Sequence, residues 1–109
     1  VGARNAKAVG LAWPGLPDRP WRVLLWMALT SLDEDKGERA ARTYYAGHAA
    51  IAEMLGLDPK STSDLRVVRR AVAHLVRAGA LVPLHAAGNG RTAVYVVCTA
   101  SLRAVDNGP

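Results

Sequence analysis

The chain has one cysteine and no phenylalanine in 109 residues. A single thiol excludes an intrachain disulfide and does not by itself make a zinc site. It lies in the run VYVVC, where Cys98 reads as a small buried hydrophobe. Without phenylalanine, the large core or stacking groups are restricted to Trp13, Trp21, Trp26, Tyr44, Tyr45 and Tyr95. No apolar run approaches the roughly 18 residues of a membrane span. The N-terminal stretch VGARNAKAVG is too polar for the apolar region of a secretory leader. The chain therefore reads as soluble and intracellular, with no membrane partner. No repeat or low-complexity segment interrupts it.

Acidic residues are also scarce, and their scarcity is local. Fourteen lysines and arginines stand against nine aspartates and glutamates, a net charge of +5. Between Pro59 and Arg91 the cations are Lys60, Arg66, Arg69, Arg70, Arg77 and Arg91, opposed by Asp64 alone. That stretch carries the whole excess, so the remainder is balanced. Concentrated basic charge suits a polyanion, of which nucleic acid is the commonest. The bland alternative is a solvated helix face.

What is present is apolar and helix-forming. Half of the residues are hydrophobic, mostly Ala, Val and Leu, which suits one folded domain with a modest core. The first 17 residues carry Gly2, Gly10, Pro14, Gly15 and Pro17 without a period, and read as an extended, partly mobile arm. A first helix is expected from Asp18–Pro20 to about Leu32. Asp18 would cap it, and Trp21, Leu24, Leu25, Ala28 and Leu32 would face the core. Val23, Trp26 and Met27 project from its other sides, so it is apolar nearly all round. Either the N-terminal arm or a second subunit must then cover it.

A charged connection, DEDKGERAAR, leads to a short strand at Thr43–Tyr45. One of the two tyrosines is expected in the core. A second helix follows over about Gly47 to Leu55, with Ile51, Met54 and Leu55 inward and Gly56 ending it in a left-handed conformation. Asp58-Pro59 prevents helix through the next turn. Ser61 and Asp64 then have the spacing of a capping box, in which hydroxyl and carboxylate close each other's orphan amides. The third helix runs from Thr62 to Gly79. Ala80–Leu84 and Thr92–Thr99 read as strands joined through Gly88-Asn89-Gly90, whose glycines suit a hairpin turn. A short turn of helix is possible at Ser101 to Val105.

The third helix carries two opposed faces. At 100° per residue Leu65, Val68, Val72, Leu75 and Val76 gather on one side. Arg66, Arg70 and Arg77 fall within roughly 40° of one another, well away from it. A helix that buries one face and lines the other with guanidinium groups is suited to phosphates and base edges.

No catalytic arrangement emerges. His48, His74 and His85 are not spaced as helical metal ligands. Asp33, Glu34 and Asp35 read as solvated charge beside Lys36. Gly88-Asn89-Gly90 precedes a strand rather than a helix, unlike a phosphate-binding loop. No enzyme, metal, cofactor or small-molecule ligand is expected.

The element order, with Ile51-Ala52-Glu53-Met54-Leu55-Gly56-Leu57 and Val68-Arg69-Arg70-Ala71-Val72 through Leu75 to Ala78-Gly79-Ala80-Leu81, resembles the winged helix-turn-helix domains of bacterial DNA-binding regulators. The resemblance covers roughly residues 20–99. Its one departure is the turn from Gly56 to Ser63, several residues longer than that of a simple helix-turn-helix. The Ala- and Arg-rich, Phe-free composition is similar to proteins of high-GC bacteria and their plasmids and phages.

The resemblance implies an α+β fold. A three-helix core, a β-hairpin wing and a short strand between the first and second helices would occupy residues 18–99, between the arm (1–17) and a tail (100–109). Helix 62–78 would enter the major groove and wing 85–92 would touch the backbone or minor groove. Lys60, Ser61, Thr62 and Ser63 would lie at the helix mouth, where hydroxyls, ammonium and helix dipole favour phosphate. Arg66 and Arg70 are the candidates for base edges, since a guanidinium holds guanine O6 and N7 with two hydrogen bonds. Arg69, nearer the apolar side, suits the phosphate backbone, and Arg77 a surface ion pair. Asn89 and Arg91 would sit on the wing, a solvated hairpin arginine being the alternative for the latter. His48, opening the second helix, is a candidate phosphate contact.

The expected function is sequence-specific binding of double-stranded DNA as a homodimer in the cytoplasm, at the nucleoid. The role would be transcriptional regulation or recognition of a replication site in a plasmid or phage. The start at Val1 is compatible with a fragment of a longer replication protein. Similar domains often dimerise through elements outside the three-helix core, which favours a second subunit as the cover of the first helix. The alternative is a protein-interaction module docking through Val23, Trp26 and Met27.

Overall fold

The computed structural model describes residues 2–37, 40–85 and 92–99. Four helices and three strands follow in the order α1 (Ala3–Ala12), α2 (Asp18–Thr30), β1 (Thr43–Tyr44), α3 (Gly47–Met54), α4 (Thr62–Ala78), β2 (Leu81–His85) and β3 (Val94–Val97). The strands form an open antiparallel sheet in the order β1-β3-β2. This α+β arrangement is consistent with a winged-helix-like topology.

The N-terminal segment corrects the expected extended arm. Residues 3–12 are helical and pack along α2. Their docking is made by groups distant in the chain. The Asp33 carboxylate accepts the backbone N–H of Asn5 at 2.9 Å and that of Arg4 at 3.3 Å, closing the start of α1. The Asn5 amide donates to the Leu32 carbonyl at 2.8 Å. Gly2 is buried against the carbonyls of Ala28, Leu29 and Ser31, where no side chain fits. At the other end the Trp13 indole N–H reaches the Cys98 carbonyl.

The cover of α2 is therefore α1, with α4 and the sheet also packed against the helix. A second subunit is not needed for that role. Val23, Leu24, Met27 and Ala28 are fully buried, while Trp21, Leu25 and Trp26 are partly so. The face expected to dock another protein is thus spent internally: Val23 and Met27 lie in the core, and Trp26 meets the Tyr44 ring edge-on at 5.6 Å between centroids. Asp18 is the first residue of α2 rather than its cap, Pro17 occupying the cap position without a side-chain hydrogen bond. The helix stops at Thr30, where the hydroxyls of Thr30 and Ser31 both donate to the Met27 carbonyl and Ser31 turns extended.

The helix-to-helix segment follows local signals closely. Gly56 has φ +76° and Gly79, capping α4, φ +86°. Ile51 and Ala52 of α3 meet a core that takes Val68, Ala71, Val72 and Leu75 from α4. Leu65 and Val76, at the margins of the expected face, are half-buried. Of the tyrosine pair, Tyr44 is in the core and donates its hydroxyl to the Gly47 carbonyl at 2.7 Å, while Tyr45 is exposed.

In the sheet, Leu81 faces Val97 and Tyr44 faces Tyr95, all buried on the side of the helices. Val82 and Val96 pair on the opposite face. Pro83 is tolerated because β2 is an edge strand, and the ladder is irregular between Pro83 and His85. The expected hairpin turn, with Asn89 and Arg91, and the tail with its turn at 101–105 lie outside the described residues. Among the described residues no helix is long and apolar enough to cross a membrane.

Candidate nucleic-acid interface

The candidate face is built on α4, because one helix both anchors it and displays it. Val68, Ala71, Val72 and Leu75 bury one side, and their 3.6-residue spacing turns Arg66, Arg69, Arg70 and Arg77 outward, all exposed. Among the described residues, none of Arg66, Arg69 and Arg70 hydrogen bonds to or ion-pairs with another residue; the surface pair Arg4–Glu34 lies on the opposite end of the chain order. Arg66 and Arg70 are one helical turn apart, about 6 Å along the axis. That is close to two base steps of roughly 3.4 Å.

The mouth of α4 differs from the sequence expectation. Ser61 is the N-cap and its Oγ accepts the Asp64 N–H at 3.3 Å, one half of the capping box. The other half is missing. Asp64 Oδ2 instead accepts the Asp58 N–H at 2.8 Å, and the Ser61 N–H donates to the Asp58 carbonyl. An aspartate is one methylene shorter than the glutamate of the usual box, which shortens its reach back to the cap. Ser63 Oγ lies 3.1 Å from Ser61 Oγ, and the Asp58 carboxylate accepts the Lys60 N–H at 2.9 Å. The Ser61 and Ser63 hydroxyls are thus engaged locally, and the carboxylates of Asp58 and Asp64 stand at the same end. Favourable for the helix dipole, they also compete with any phosphate at that end. Among the described residues, no carboxylate pairs with the arginine row further along α4.

His48 lies at the second position of α3, half-buried. Its Nε2 is 2.8 Å from the Tyr95 hydroxyl, and the two rings stack at 5.8 Å between centroids with 27° between planes. Burial, with the positive charge of Arg69 added, holds its pKa below the ordinary imidazole value. At neutral pH it is therefore an uncharged, engaged ring rather than a free cation. Burial also raises the Tyr95 and Tyr44 phenols and the Cys98 thiol.

The start of α3 is clamped to the segment that leads into β3. Gly47 has φ +80°, and a Cβ there would meet Thr92 Cβ and Cγ2 at 3.0 Å. The Thr92 hydroxyl donates to the Tyr45 carbonyl at 3.0 Å. Sequence reasoning had no signal for Tyr95 or Thr92 as partners of this corner, since 47 positions separate His48 from Tyr95. The alternation in VYVV does turn Tyr95 inward. His74 is partly buried on α4, and His85 is exposed at the end of β2.

No protein-family model, curated protein or solved structure matches this chain.

Proposed function

We propose that the chain binds double-stranded DNA sequence-specifically, with α4 in the major groove and the loop between β2 and β3 on the backbone or minor groove. The role would be that of a transcriptional regulator, or a binder of a plasmid or phage replication site, acting as a homodimer. The observation that carries this reading is the row Arg66, Arg69, Arg70: solvent-exposed, unpaired by carboxylates among the described residues, and held on the face of a helix whose other side is locked in the core. Guanidinium groups in that state keep their donors available for phosphate oxygens and guanine edges. The element order β1-α3-α4-β2-β3 and the sheet order β1-β3-β2 support a helix-turn-helix with a wing.

In this reading Arg66 and Arg70 meet base edges and Arg69 the backbone. The mouth residues Lys60, Ser61, Thr62 and Ser63 make a weaker phosphate contact than their types imply, because Asp58 and Asp64 already stand there. Asn89 and Arg91 belong to the loop contact.

The deciding experiment is selection of bound duplexes from a random pool, followed by salt titration of the selected site. A recovered consensus and a log affinity falling against log salt with a slope of roughly −4 to −6 per protomer are expected. The symmetry of the consensus reports the stoichiometry. No enrichment, or affinity indifferent to salt, would overturn the proposal.

A further inference from the structure

We propose that His48, held by Tyr95, is a proton-linked positioning residue of the α3–α4 face, so that binding of a phosphate backbone there favours its protonated form. This rests on reading that face as a DNA surface, and adds to it a regulation by pH.

The geometry separates the position of His48 from its charge. Its ring is stacked on Tyr95 of the central strand, with Nε2 2.8 Å from the phenol oxygen. The backbone beneath it is fixed on both sides: the Gly47 carbonyl accepts the Tyr44 hydroxyl, and Thr92 fills the space above Gly47 while bonding to the Tyr45 carbonyl. A phenol both donates and accepts. Neutral His48 accepts the Tyr95 proton at Nε2 when its own proton is on Nδ1, and donates from Nε2 in the other tautomer; protonated His48 donates from Nε2 to the Tyr95 oxygen. The hydrogen bond survives in either state, so the ring gains charge without leaving its site.

The groups facing it act in one direction in the free protein. Arg69 from α4 repels the proton, burial disfavours the charge, and Tyr95 from β3 is neutral. No carboxylate among the described residues acts on it; Arg91 lies outside them. A phosphate backbone laid on Arg69 reverses the local field, offsetting the guanidinium and attracting an imidazolium beside it. Whatever binds the protonated form better must by linkage take up the proton on binding. Each unit by which phosphates raise the His48 pKa is a tenfold gain in affinity at acid pH.

Affinity for a random-sequence DNA duplex, at fixed low salt between about pH 5 and pH 8, tests this. Wild type should bind about three- to tenfold more tightly at the acid end. His48→Gln, which keeps a side-chain donor and acceptor near Tyr95, should flatten the profile, whereas His74→Gln and His85→Gln should leave it unchanged. NMR titration of the His48 ring should give a higher pKa in the complex than in the free chain. A pH profile retained in His48→Gln, or the same ring pKa free and bound, overturns the inference while leaving DNA binding intact. Absence of duplex binding at every pH removes the DNA reading itself, and this inference with it.

Discussion

Trp13 donates its indole N–H to the carbonyl oxygen of Cys98 across 2.9 Å, joining residues 85 positions apart. Cys98 in turn donates its backbone N–H to the Ala80 carbonyl at 2.9 Å. One short chain of hydrogen bonds thereby ties the end of α1 to the residue that follows β3 and to the junction of α4 with β2. The N-terminal segment is part of the folded unit, and its stability is coupled to the sheet.

Trp13→Phe keeps most of the ring and removes the donor. A loss of about 1 kcal/mol is expected, the usual net value of one such bond, with a further cost for leaving the Cys98 carbonyl short of a partner. Denaturant unfolding measures it. Limited proteolysis should show residues 3–12 becoming accessible first, and equal protection in the variant and the parent would rule out the coupling.

Two glycines of this segment should respond oppositely to alanine. Gly2→Ala drives a methyl group into the carbonyls of Ala28 and Ser31 and should cost about 1–3 kcal/mol by forcing α1 away from α2. Gly10 is exposed in the helix, and its added Cβ would meet only Trp21 Cη2 at an ordinary 3.8 Å. Gly10→Ala should therefore stabilise by about 0.5–1 kcal/mol. Thermal melts of the two variants give the signs directly.

Ser61→Ala removes the side-chain cap of α4 and should cost about 1 kcal/mol, whereas Ser61→Asn should be nearly neutral. Amide hydrogen exchange should locate the loss in the first turn, at Ser63–Leu65.

Stability should depend on His48 in the mildly acid range. Its folded pKa lies below the unfolded value of about 6.5, so the unfolded chain binds the proton first as pH falls. The contribution of the neutral ring is complete above about pH 6.5 and is lost as pH falls through the folded pKa. Melting temperatures of wild type should accordingly drop on acidification over that window, and His48→Gln should drop less. Parallel curves for the two proteins would show that the ring does not carry the effect.

If the DNA reading holds, the arginines divide by role. Arg66→Ala or Arg70→Ala should cost about 1–3 kcal/mol on the selected site and blunt its base preference. Arg91→Ala should weaken all sequences alike and lower the salt slope by about one. Variants at 66 and 70 that discriminate sequences as wild type does would show that α4 is not the reading helix.

The candidate face was legible because α4 states it twice. Its valines and leucines repeat at one helical period, its arginines fall on the other side, and Ser61 and Gly79 mark the ends. The α+β order, the left-handed glycines and the inward tyrosine were readable for the same reason, since each depends on neighbours within a few positions. The helicity of residues 3–12 was not readable. Val9 is the one large apolar side chain α1 buries, and Gly10 follows it, so no period stands out. What holds α1 is Asp33, Leu32 and Cys98, none of which its own sequence announces.

Local spacing decided, without any structure, where α4 begins and ends and that its cationic row opposes its buried row, because helix geometry converts sequence distance directly into direction. Folding alone decided that α1 covers α2, that Asp64 turns to Asp58 instead of Ser61, and that the ring of His48 rests on Tyr95. Those outcomes are set by groups competing for partners across a closed core, and only the assembled chain brings the competitors within reach.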